Sequence, residues 1–185
     1  MRRLFLIAGL MAAFLLLVVA ASAQKGNFGG TWLLDKTKSQ NLSQRTMGAD
    51  KVTLTITQDD KTISLDTKVE GGQAPASGGG GGGMGGGRGA GAMGPQSYNL
   101  DGKEVTSDVT FGQASGKRTA KATMSGDSLE LMSKTSFTGQ DGTERVNTTT
   151  QKLSLSGDGK TLTVMTHREG GQQQAPDSTA VYNKQ

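Results

Sequence analysis

The sequence predicts an all-β protein, an antiparallel up-and-down meander that closes into a barrel and is preceded by a signal-peptide helix. Three observations predict it. Past residue 23, apolar residues alternate with threonine and other polar residues at a period of two, the mark of half-buried strands. Short turns containing Asp and Gly recur between those runs. No segment beyond the leader carries an apolar stripe at helical spacing.

The leader comes first. Arg2 and Arg3 form a basic start, "LFLIAGLMAAFLLLVVA" is a continuous apolar run, and Ala21 and Ala23 give an A-x-A ending. That pattern predicts cleavage between Ala23 and Gln24, Sec-type export, and a periplasmic or extracellular protein with no stable membrane anchor. The alternative is retention as an anchor, since the apolar run approaches the length that spans a bilayer. Removing 23 of the 185 residues leaves 162, enough for one domain with a core. The leader holds two arginines and no acid, so the formal net charge falls from +4 to +2.

Composition excludes several function classes. There is no cysteine, hence no disulfide, thiol nucleophile or thiolate metal site. Lys and Arg are interspersed with Asp and Glu, which argues against a nucleic-acid partner. His167 is the only histidine, too few for a metal site, and its strand alternation turns it toward solvent. Asp59, Asp60, Asp101, Asp127, Asp141 and Asp158 fall in turns, where Asp is selected for bonding its own backbone. "GQASGKR" lacks the spacing and the Ser or Thr of a phosphate-binding loop. No catalytic constellation and no cofactor signature remain, so a non-enzymatic protein without metal or cofactor is expected.

The strands follow in order. "GTWLLDKTKS" opens the domain; "KVTLTITQ" puts Val52, Leu54 and Ile56 on one face, and "TISLDTKV" puts Ile63, Leu65 and Val69 on one face. "SLELMSKTSF" does the same for Leu129, Leu131 and Phe137, and "KTLTVMTHR" for Leu162 and Val164; "TAVYNK" ends the chain. "TITQDDKTISL", "YNLDGKEVT", "ATMSGDSLEL", "FTGQDGTER" and "LSLSGDGKTLTV" each predict a hairpin. About nine or ten strands result. Residues 71–96 are so rich in glycine that a flexible loop is expected there. The part before it offers only about three strands, too few for a sheet with its own core. Residues 24–185 therefore read as a single barrel domain.

Such a meander exposes two edges unless its first strand pairs with its last. Trp32, the only tryptophan, lies at the start of the first strand and is placed to plug the barrel, with Gly30 allowing close approach. The Gly30-Thr31-Trp32 step soon after a signal peptide resembles the opening of the lipocalin-like group of calycin barrels. The phrase Phe28, Gly29, Gly30, Thr31, Trp32, Leu34, Asp35, Lys38, Ser39 and the ending Val181-Tyr182-Asn183-Lys184-Gln185 resemble small secreted bacterial proteins of that kind. The resemblance implies an arginine from late in the barrel over the tryptophan. Arg168 shares the parity of Leu162 and Val164 and is the first choice; Lys184 is the second.

The expected function is an exported binding protein holding a small, largely apolar ligand non-covalently in the barrel. Leu54, Ile56, Ile63, Leu65, Leu129, Leu131, Phe137, Leu162 and Val164 would line the site; Gly30, Trp32 and Arg168 would close it. The alternative is a structural or interaction protein of the cell envelope whose barrel is packed solid. No protein partner can be named from the sequence.

Overall fold

The structure, a computed structural model, describes residues 26–71, 95–111, 114–139, 142–170 and 176–185. The leader at 1–23, nearly all of the glycine-rich stretch at 71–96, and Asp141 lie outside them. Among the described residues ten strands form: β1 (Gly30–Gln40), β2 (Lys51–Gln58), β3 (Thr62–Glu70), β4 (Gln96–Asn99), β5 (Val105–Phe111), β6 (Ala114–Ser125), β7 (Ser128–Thr138), β8 (Glu144–Leu155), β9 (Thr161–Glu169) and β10 (Ser178–Lys184). One short helix, α1 (Gln44–Gly48), lies between β1 and β2. No helix was expected there. Ser43 caps it by accepting from the Thr46 amide, and Lys36 Nζ donates to the carbonyls of Met47 and Ala49 at its end.

All ten strands belong to one antiparallel sheet in the order β4-β3-β2-β1-β10-β9-β8-β7-β6-β5. The first and last strands pair as expected, Trp32 opposite Lys184 and Leu34 opposite Tyr182. A bulge interrupts this ladder between Asp35 and Gln40, and side chains repair it. Ser39 Oγ accepts from the Val181 amide at 2.9 Å and donates to the Asp35 carbonyl at 2.6 Å.

Termini that zip together move the break in the ring to its middle. β4 and β5 are the sheet edges, and no backbone ladder joins them. The hairpin expected at "YNLDGKEVT" is therefore corrected. Asp101 does cap the turn by accepting from the Lys103 amide, but the strands on either side pair away from each other, β4 with β3 and β5 with β6. The other four turns do connect paired neighbours. In two of them Asp bonds as expected, Asp59 accepting from the Lys61 and Thr62 amides and Asp158 from the Lys160 amide.

The barrel floor is built from strand ends that share a level. Phe28, Trp32, Ile63, Leu129, Leu131, Leu153 and Leu162 are its largest fully buried side chains. Each such burial stabilises by roughly 1.5–3 kcal/mol. The segment ahead of β1 crosses beneath them: the Gln58 side chain accepts from the Phe28 amide and donates to the Gly26 carbonyl, and the Gly26 amide donates to the Gly126 carbonyl. Trp32 satisfies its one polar atom within this plug, Nε1 donating to the Phe28 carbonyl at 3.0 Å.

Gly30 has a specific job. Its φ is +140°, and an added Cβ would stand 3.1 Å from Lys184 Cε. Replacing it with Ala should cost about 1–3 kcal/mol, the usual range for enforced backbone strain, and Trp32→Ala about 3–5 kcal/mol. Urea unfolding of both variants checks this; an unchanged midpoint for Gly30→Ala would remove the strain argument.

Candidate functional site

Register assigns every strand residue to the inside or the outside of the barrel. The inward rows running across β5 to β9 read, from mouth to floor, Ser107-Arg118-Thr135-Asn147, then Val105-Ala120-Ser133-Thr149-Arg168. The next two, continuing from β6 onto β10, are Ala122-Leu131-Gln151-Thr166-Ser178 and Met124-Leu129-Leu153-Val164-Ala180. The interior is graded: hydroxyls, amides and guanidinium groups near the mouth, hydrocarbon at the floor.

The predicted lining residues divide along this gradient. Leu54, Ile56, Ile63, Leu129, Leu131, Leu162 and Val164 are buried in one apolar cluster, and Leu65 is partly buried against it. They pack on one another. Phe137 faces inward opposite Gly116 but lies at the mouth end of β7 and is partly buried. The cation over the tryptophan is Lys184, whose Nζ stands 5.2 Å from the Trp32 ring centroid. Arg168, the first choice for that place, is inward by parity but exposed and opposite Thr149. The reason is height: β9 starts at the floor with Leu162, and six residues of strand carry Arg168 roughly 20 Å toward the mouth.

The seam between the sheet edges holds a constellation that alternation alone does not reveal. β4 lies against β6, and the small buried side chains of Ala120 and Ala122 on β6 leave room for it. Tyr98 is 2% exposed. Arg118 Nη2 donates to Tyr98 Oη at 2.9 Å and to Gln96 Oε1 at 2.8 Å, and Tyr98 Oη donates to Gln96 Oε1 at 3.1 Å. The guanidinium carbon stands 5.2 Å from the Tyr98 ring centroid, a cation–π distance. Burial pushes the Tyr98 phenol above its ordinary range, with Arg118 opposing the shift. Burial also raises Tyr182 on the floor, to about 12.

His167 is turned outward and exposed, as its alternation predicts, yet it has partners. Its Nδ1 lies 2.5 Å from Asp177 Oδ1 and its Nε2 3.3 Å from Glu169 Oε1. Asn41 Nδ2 donates to the Asp177 carbonyl at 2.8 Å, so residues at the mouth ends of β1 and β9 both hold the entry to β10. An open cleft of about 310 Å³ lies on the rim, lined by Asp108, Lys117, Phe137, Glu144 and their neighbours. Most of these residues belong to outward rows, and their charges are mixed. Among the described residues no group of His, Asp and Glu is arranged to hold a metal ion.

The architecture is consistent with a calycin-like barrel. No family model matches the chain, and no curated protein matches it as a relative.

The His167 contacts give a pH prediction. The hydrogen bonds that the protonated ring donates to Asp177 and then to Glu169 hold its pKa above 6.5 in the folded protein. A raised cation pKa contributes stability that is complete below the unfolded value and is lost as pH rises through the folded value. NMR titration of the His167 ring should report a midpoint above 6.5, and Asp177→Asn should lower it. Equal midpoints in the two proteins would exclude the contact in solution.

Proposed function

We propose that this chain is an exported, non-enzymatic binding protein that holds a small molecule non-covalently in the mouth half of its barrel. The observation supporting this reading is the graded interior. A barrel built only to be packed needs hydrocarbon on its inward rows throughout. Here Ser133, Thr135, Asn147, Thr149 and Gln151 occupy inward positions and are only partly buried. They offer hydrogen bonds to a ligand resting on the apolar layer beneath, the usual composition of a small-molecule site.

The gradient also refines the expected ligand. The floor side chains bury one another, so what enters from the mouth meets polar rows first. A ligand with polar groups on an apolar body fits this lining better than a purely apolar one. The filled floor does favour the second reading, a solid envelope protein, for the lower half of the barrel.

Mature protein incubated with an envelope extract and re-isolated should retain a compound detectable by mass spectrometry. Thr149→Trp, which fills the polar level between Ser133 and Arg168, should abolish retention while leaving the melting temperature within a few degrees. If wild type retains nothing, or if Thr149→Trp retains as much as wild type, the binding reading fails.

A further inference from the structure

We propose that Arg118 anchors the anionic group of the ligand, and that the ligand class is a small organic anion bearing a carboxylate or a phosphate. The proposal rests on the binding reading above and adds the chemistry of what is bound.

Arg118 carries a charge that its contacts do not compensate. Both groups that Arg118 contacts, Gln96 Oε1 and Tyr98 Oη, are neutral, and both are served by Nη2. They fix the orientation of the guanidinium without neutralising it. Among the described residues Nε and Nη1 have no hydrogen-bond partner, and no buried side-chain nitrogen or oxygen there lacks one. Those two nitrogens therefore reach solvent, and register places their residue on the inward face. The guanidinium is part-buried, and an anion that reaches it forms charge-assisted hydrogen bonds stronger than those to neutral partners. A planar guanidinium with a free face of donors suits carboxylate and phosphate oxygens.

The inner surface also has one sign. On β2 to β10 every described acidic strand residue, namely Asp66, Glu70, Asp108, Glu130, Glu144 and Glu169, falls on the outward face by register. The inward charged positions of the mouth half are all basic, Arg118, Arg145 and Arg168, and the one at the floor, Lys184, is basic as well. A cleft lined by one sign of charge with low-dielectric walls concentrates ions of the opposite sign. The net charge of the whole chain conceals this, because the acids are sorted to the outside.

The neighbours of Arg118 suit an anion as well. Its inward cross-strand neighbours are Ser107 and Thr135, whose hydroxyls can donate to a second anion oxygen. Leu65, across the ladder from Gln96, is partly buried against the core and offers an apolar surface to the rest of the ligand. The His167 group carries no such inference, since its carboxylates are already paired with the imidazole on the outward face. The rim cleft carries none either, its charges being mixed.

The test uses two fluorescent probes with the same rings: anilinonaphthalene sulfonate, an anion, and phenylnaphthylamine, which is uncharged. Wild type should bind both. Arg118→Gln should weaken the anion about tenfold or more, in line with the loss of a charged hydrogen bond, and leave the neutral probe within about twofold, an outcome that spares the apolar contacts. In nitrogen-labelled wild type the Arg118 Nε–H resonance should move with the anionic probe and stay with the neutral one, a readout that does not depend on the variant folding. Displacement of the anion by benzoate or by phenyl phosphate, with benzamide inert, then assigns the head group. If both probes bind both proteins equally, or the Nε–H resonance is unmoved, or neither acid displaces the probe, the anion site is overturned while the binding reading stands. If wild type binds neither probe, both readings fall together.

Discussion

Everything in this barrel depends on one long-range pairing, the ladder between β1 and β10 with Trp32 sealed beneath Lys184. It joins residues about as far apart as the described domain allows. The chain gains nothing from it until the intervening meander is in place, so loop-closure entropy opposes it throughout folding. Two features offset that cost locally, the indole bond to the Phe28 carbonyl and the Ser39 hydroxyl that repairs the bulge, while Gly30 permits the positive φ that the strand start needs. The plug is a length of chain as well as a side chain, because residues 26–29 run under the floor and are held by Gln58.

Closing the ring at the termini has a consequence elsewhere. The sheet is hydrogen-bonded from β4 round to β5, and the remaining gap is crossed by side chains. Arg118 spans it from β6 to Gln96 and Tyr98 on β4. One residue thus meets two needs: it ties an open seam with neutral partners and leaves a positive charge facing the interior. The apolar floor and polar mouth follow from the same period-two alternation, which fixes which side chains point inward but leaves their polarity free to change with height.

Much of the fold was legible in the sequence. Alternation placed Leu54, Ile56, Ile63, Leu129, Leu131, Leu162 and Val164 correctly indoors, since parity is a local property of a strand. Trp32 and the terminal pairing followed from the edge problem. What failed was what parity cannot encode. Arg168 has the right parity and the wrong height. The Asp101-Gly102 turn has the right local geometry, but a turn motif does not oblige its flanking strands to pair. α1 has five residues, too few for helical periodicity to register. Arg118 could have been flagged as inward from Ala120 and Ala122 in "GKRTAKAT", all at one parity. Its contact with Tyr98 could not, because β4 and β6 share no ladder that a sequence pattern would mark.

Amide hydrogen exchange across the β1–β10 ladder tests closure most directly. Amides of Leu33, Val181 and Asn183 should exchange as slowly as those of β8 in the body of the sheet, opening only with global unfolding. If β10 exchanges like a frayed terminus while β8 stays protected, the ring is open where the entire account requires it to be shut.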